Sequence, residues 1–246
     1  RVADLAGIAA LARARGVALV VDNTFTTPRG LRPLEHGADV VVHSVTKLLA
    51  GHSDATLGWV AARDGEVRAR IATAVQTWGM TASPFDCWLA ERGLHSFVLR
   101  YDRAEATAGA LAEALASMPG VRRVLYPGRD DHPDAARARA LLAGRWGTMV
   151  TFEVAGGRAA ANALVRAMPD LPFAPTLGDV GTTLSHPLSS SHRALSAAEA
   201  AAQGLSEGVF RVSVGLEDPG ALIAEFEAGT AAAARAAAGA GAGMGA

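Results

Sequence analysis

A carboxylate, a pair of hydroxyls and a lysine stand at spacings that could do chemistry together. Asp22 ends the apolar run ALVVD, and Ser44, Thr46 and Lys47 follow a second apolar run in VVVHSVTK. A lysine amine can condense with an aldehyde and then serve as a base. A carboxylate can keep a heteroaromatic ring nitrogen protonated, which turns that ring into an electron sink. Ser44 and Thr46 are short hydroxyl donors suited to a phosphate.

The elements around these residues must place them at one edge. Val17–Val21 and Val40–Val42 are short, β-branched and continuously apolar, as expected of strands buried on both faces of a parallel sheet. Ligands of such sheets lie beyond the carboxyl ends of the strands, where Asp22 and HSVTK fall. Leu5, Ile8, Leu11 and Ala12 recur at helical spacing, and Gly16 closes that helix. Strands are expected over Val17–Asp22, Asp39–His43 and Thr56–Ala61, and a helix over Glu66–Thr77. Ser83 and Pro84 open a further helical stretch that continues to Ser117 as one helix or two in series. Past Pro119–Gly120 the pattern becomes α+β. Strands are expected at Val121–Tyr126, Thr148–Val154 and Phe210–Val214. Helices are expected near Pro133–Ala143, Gly157–Ala167, Ala197–Gln203 and Pro219–Glu227. Beyond Ala228 the text is low-complexity Ala/Gly, expected to be frayed.

The Asp22–Lys47 spacing, with Asp39, Ser44, Thr46, Lys47, Gly51, His52 and Ser53, resembles the Cys/Met-metabolism family of pyridoxal-phosphate enzymes. That family includes cystathionine γ-synthase, cystathionine γ-lyase, methionine γ-lyase and the O-acylhomoserine sulfhydrylases. SPFDCWLAERGL from Ser83, TLGDVGTTLSHP from Thr176 and FRVSVGLED from Phe210 resemble further family landmarks, in the family's order. The resemblance runs from about Asp4 to Glu227. It implies an α/β fold of the aspartate aminotransferase type (fold type I): part of the cofactor-binding large domain over 1–100, a smaller α+β domain over 101–230, and an Ala/Gly tail over 231–246. It implies pyridoxal 5'-phosphate bound by Asp22, Thr24, Ser44, Thr46 and Lys47, with Lys47 catalytic. It implies Arg211 on the substrate α-carboxylate and Thr176 as a substrate or lysine contact. The activity implied is γ-elimination or γ-replacement on a homoserine-, methionine- or cystathionine-type amino acid, by a homodimer or homotetramer. The residues do not decide between elimination and replacement.

Three positions depart from the family pattern. Leu48 replaces an aromatic residue, Ala50 a glycine, and Gly181 a glutamate that many γ-lyases and synthases carry. The chain starts at Arg1, and the family's upstream phosphate-binding and ring-stacking parts have no counterpart in it. It therefore reads as the C-terminal portion of such an enzyme. The competing expectation is a truncated, non-catalytic remnant.

Composition narrows the classes further. Lys+Arg 23 against Asp+Glu 24 leaves net charge −1, so no basic stripe points to nucleic acid. Cys87 is the only cysteine, which fits a reducing cytoplasm. No apolar run reaches the ~18 residues of a membrane span. The seven histidines form no metal-ligand spacing, so no metal is expected. His43 and His52 are expected to fix the lysine loop, and His186 and His192 to be structural. The terminal GAGMGA (Gly241, Gly243) mimics a dinucleotide fingerprint, but no strand precedes it and no ribose-binding acid follows.

Overall fold

The computed structural model describes residues 1–242, and side chains through residue 239. It divides into two compact units. One comprises Arg1–Tyr101 with Pro133–Gly147; the other comprises Asp102–His132 with the chain from Thr148 onward.

The first unit holds α1 (Leu5–Ala14), β1 (Val20–Asp22), α2 (Thr27–Gly30), β2 (Val40–Ser44), β3 (Gly58–Ala62), α3 (Gly65–Thr77), α4 (Pro84–Leu94) and the start of α5 (Phe97–Ser117). Asp4 caps α1 by accepting the Gly7 N–H at 3.1 Å. Ser83 caps α4, and Pro84 stands in its first turn. The expected long helix is thus two in series, broken at His95–Ser96. β1 and β2 are parallel, with Val20 beside Val40 and Asp22 beside Val42. β3 returns antiparallel to β2, pairing His43 with Trp59 and Ser44 with Gly58. The loop between them carries no crossover helix, in keeping with an antiparallel return.

β1 is shorter and more open than its apolar run suggests. The Leu19 N–H donates to the Asp39 carboxylate at 2.7 Å instead of to a strand neighbour. Val17 and Val20 are 59% and 56% exposed, so the expected burial on both faces is not found. In this sheet β1 is an edge strand with one partner.

The second unit holds the rest of α5, then β4 (Val121–Leu125). α6 (Ala135–Leu142) belongs to the first unit, and β5 (Met149–Val154), α7 (Gly157–Arg166), β6 (Thr183–Ser185), α8 (Ala197–Ala202), β7 (Val209–Ser213) and α9 (Pro219–Ala242) to the second. Its sheet is antiparallel in the order β4-β5-β7-β6. Phe152 lies opposite Phe210; their rings stack at 5.5 Å, and Phe226 of α9 meets Phe152 edge-on at 5.8 Å. Because strand side chains alternate, Arg211 of β7 projects from the opposite face of this sheet.

Two readings are corrected here. The helix near 133–143 was grouped with the smaller domain, yet α6 sits in the first unit. The Val2 N–H donates to Asp134 at 2.9 Å and Arg137 donates to the Val2 carbonyl at 2.8 Å, contacts spanning more than a hundred residues. The Ala/Gly segment beyond Ala228 is not frayed: α9 runs unbroken to Ala242. Residues 243–246, with Gly243, lie outside the described residues. Small side chains are what let α9 pack. Ala233 and Thr230 are fully buried, and a Cβ at Gly156 (φ +91°) would come within 2.5 Å of the Ala237 Cβ. Close helix approach replaces large apolar side chains. Ala233→Asp is therefore expected to cost about 2–4 kcal/mol in chemical unfolding by burying an unpaired charge. A frayed tail would tolerate the change without cost.

Candidate active site

The parallel pair β1–β2 brings Asp22 and Ser44 to neighbouring carboxyl ends, with Lys47 just beyond. A short relay joins them. The Ser44 N–H donates to Thr24 Oγ1 at 2.8 Å, and the Thr24 hydroxyl and N–H donate to Asp22 Oδ1 at 2.6 and 3.0 Å. The Asp22 carboxylate is thereby held in one orientation through one oxygen. Its Oδ2 has no partner among the described residues, and the side chain is exposed. A protonated ring nitrogen could donate to it. Thr24, expected to contact the cofactor, is buried (7% exposed) and spends its hydroxyl on this link.

Thr46 fastens the loop after β2 to the start of β3. Its Oγ1 accepts the Leu57 N–H at 2.9 Å, and its N–H donates to the Leu57 carbonyl at 3.2 Å. The nearest acceptor for its hydroxyl proton is that carbonyl at 3.4 Å, a weak contact. The hydroxyl keeps its capacity to donate to a phosphate oxygen. The Ser44 hydroxyl has no partner among the described residues and is half-buried. An acceptor for a ring nitrogen, two donors for a phosphate and a half-buried lysine thus share one strand edge. That set fits pyridoxal phosphate.

Leu48 and Ala50, two of the departures from the family pattern, are buried beside Val45, Leu49, Ala55, Ala90, Phe97 and Tyr101. Their side chains anchor the lysine loop in the core while Lys47 stays half-buried. His52 Nδ1 lies 2.7 Å from the Ala50 carbonyl, fixing the loop as expected. His43 does something else. It lies in β2, buried, tilted over Trp59 at 5.5 Å, and its Nδ1 has no partner among the described residues.

In the second unit Arg211 is half-buried in β7. Its Nη2 donates to the Thr176 carbonyl at 3.3 Å, while its Nε is buried with no partner among the described residues. Burial pushes the guanidinium below its usual pKa. A desolvated cation with an unused donor is suited to an anion, and a planar guanidinium suits a carboxylate. Thr176 enters this arrangement through its main-chain oxygen. Beside Gly181, Glu217 accepts from both the N–H and the hydroxyl of Thr182, so a carboxylate lies near the position that lacks the family's glutamate. His186 is structural: Arg158 donates to the Ser189 hydroxyl, which pairs with His186 Nδ1 at 2.8 Å, while Nε2 faces the Glu207 carbonyl at 3.0 Å. His192 pairs with the neighbouring Ser191 hydroxyl at 2.8 Å.

Burial lowers the pKa of both His43 and His186; Asp22 opposes the shift at His43, and the Glu207 carbonyl opposes it at His186. The unfolded chain then takes up protons near 6.5 while the folded one does not. This contribution to stability is present above about pH 6.5 and is lost as pH falls through the depressed folded values. Urea unfolding at about pH 7.5 and about pH 5.5 should show the loss, and His43→Gln should reduce it.

The residues that sequence reasoning missed are Glu217 and Arg100. Arg100 donates to the carbonyls that directly follow Lys47. Neither shows a local signal, because each meets its partner across 35 or more residues.

Comparison with known proteins decides the family. A family model described as Cys/Met metabolism PLP-dependent enzyme matches residues 1–231. The chain belongs to this family. The O-succinylhomoserine sulfhydrylase of Pseudomonas aeruginosa is 42% identical over 229 residues, covering 93% of this chain and 56% of that protein. The L-methionine gamma-lyase of Pseudomonas putida is 42% identical over 226 residues, covering 92% of this chain and 56% of that protein. The structure of cystathionine gamma synthase from Xanthomonas oryzae pv. oryzae, in complex with aminoacrylate and cysteine, superposes with a TM-score of 0.91 at 38% identity. It is covered to 61%, and this chain to 96%. The chain thus spans a little over half the length of these members of the Cys/Met metabolism family, and the expected fold class is found. No described helix is long and apolar enough to cross a membrane.

Proposed function

We propose that the protein containing this chain is a pyridoxal-phosphate enzyme of trans-sulfuration, catalysing γ-elimination or γ-replacement on a homoserine-, methionine- or cystathionine-type amino acid. The observation that carries this reading is the pair of strand ends where Asp22 Oδ2 and the Ser44 hydroxyl have no partner among the described residues, with Lys47 three residues beyond Ser44. The bound cofactor would supply an electron sink for negative charge at the substrate α carbon. Lys47 would hold the cofactor through its aldehyde and would move protons at the substrate α and β carbons. Asp22, oriented by Thr24, keeps the ring nitrogen protonated. Ser44 and Thr46 hold the phosphate, and Arg211 orients the α-carboxylate.

Relatives named as sulfhydrylase, lyase and synthase support the class and divide on the reaction. The deciding experiment offers the full-length protein methionine, cystathionine, homocysteine and an O-acylhomoserine with a thiol. Keto acid with ammonia marks elimination, and thioether marks replacement; neither product from any of the set refutes the proposal.

We further infer a cytoplasmic homodimer or homotetramer. Trp78, Phe85, Trp88 and Leu99 are 76%, 64%, 56% and 75% exposed, more apolar surface in one stretch than a soluble monomer usually shows. Cys87, in the same stretch, is a free thiol, in keeping with a reducing compartment. Light scattering on the full-length protein tests the assembly; a monodisperse monomer counts against it.

A further inference from the structure

We propose that Arg100 is a positioning residue for Lys47, clamping the backbone of the lysine loop so that the amine stands at one fixed place. The proposal rests on the reading that Lys47 is the cofactor-binding lysine. Arg100 lies in the first turn of α5. Its Nη1 donates to the Leu48 carbonyl at 3.0 Å, and its Nη2 to the carbonyls of Leu49 and Gly93, both at 2.9 Å. Its Nε donates to the Ser96 hydroxyl at 3.0 Å. One planar fork thus ties the loop to the corner between α4 and α5.

The arrangement accounts for each carbonyl from Lys47 to Ala50 in turn. That of Lys47 accepts the Gly51 N–H at 2.8 Å, those of Leu48 and Leu49 accept from Arg100, and that of Ala50 faces His52 Nδ1 at 2.7 Å. Leu48 and Leu49 are buried, so removing Arg100 takes from their carbonyls the partners that the fold provides. The chain makes room for the guanidinium. Gly51 has φ +80°, and a Cβ there would overlap Arg100 Nη1. A Cβ at Gly93 would overlap the Ala50 carbonyl, so α4 must approach the loop closely for the clamp to close. A lysine side chain could meet one of these carbonyls but not hold several in one plane.

A tie that only supports folding would lower stability and leave each folded site as competent as before. A positioning role predicts a different set of changes. Full-length Arg100→Ala and Arg100→Lys are compared with the parent by amide exchange over 47–51 without added cofactor, by borohydride trapping mapped to the modified lysine, and by kcat and KM per trapped site. Exchange over the loop is expected to rise at least ~10-fold in Arg100→Ala relative to amides elsewhere. Its kcat should fall roughly 100-fold with KM changed less than ~3-fold, and Arg100→Lys should lie between. If Arg100→Ala does not fold, Arg100→Lys carries the test with a kcat loss of roughly 10-fold. Unchanged loop exchange together with unchanged kcat per trapped site overturns the proposal, even if the melting temperature drops. If the parent itself traps cofactor at a lysine other than Lys47, the functional reading fails and this inference falls with it.

Discussion

Lys47→Ala is expected to abolish covalent trapping of pyridoxal phosphate by borohydride and to lower kcat by at least ~10³-fold, since one side chain supplies both the aldehyde bond and the proton transfers. The fold should survive. Lys47 is half-buried while the neighbouring Leu48, Leu49 and Ala50 are buried. Its main-chain bonds, from its N–H to the Ser44 carbonyl and from the Gly51 N–H to its own carbonyl, do not depend on the side chain. Melting temperature within a few degrees of the parent, with no trapped adduct, is the combined result to look for. Lys47 is the only lysine of this chain, so an adduct that persists in the full-length variant would remove Lys47 from the mechanism.

Arg211→Met separates function from stability in the opposite sense. The guanidinium is half-buried in β7; among the described residues its Nε has no partner, and one long hydrogen bond, 3.3 Å to the Thr176 carbonyl, ties it to the protein. A desolvated charge so poorly compensated contributes little to folding, and an apolar side chain of similar length is expected to leave stability unchanged or raise it by up to ~2 kcal/mol. Substrate binding should suffer severely. Two charge-assisted hydrogen bonds of about 1.5–3 kcal/mol each would be lost, so kcat/KM should fall by roughly 10²–10⁴-fold. Borohydride trapping at Lys47 should be unaffected. Steady-state kinetics and urea unfolding on the same preparation check both halves. A marked loss of stability with modest kinetic change would make Arg211 a structural residue.

Much of this molecule was legible in its sequence, for local reasons. Alternation of apolar runs with Gly, Pro and capping residues located most of the strands and helices because each signal acts within a few residues: Gly16 after α1, Ser83-Pro84 before α4, Pro119-Gly120 before β4; α2 and β6 were not expected. The candidate site side chains were singled out for the same reason, since Asp22, Ser44 and Lys47 stand at or just past strand ends. The Ala/Gly stretch misled because composition measures how much apolar surface a helix carries, not how closely it can approach a neighbour. Ala233 and Ala237 are small enough for α9 to pack against the loop at Gly156. The short β1 misled because the Asp39 side chain takes the N–H that an apolar run alone would assign to the ladder.

The sequence by itself determined the family, through motifs in a fixed order; the cofactor followed from that resemblance, and the lysine, carboxylate and hydroxyls on adjacent strand ends are compatible with it without deciding it. Tertiary structure decided how each group is held. It gave Thr24 to Asp22, turned Thr46 toward Leu57, placed α6 beside the amino-terminal residues, and set Arg100 on the carbonyls after Lys47. These are contacts between residues 20 or more apart once the turn at Asp22 is set aside, except that between Thr46 and Leu57, and their energies come from burial and hydrogen-bond geometry that exist only after the chain has packed.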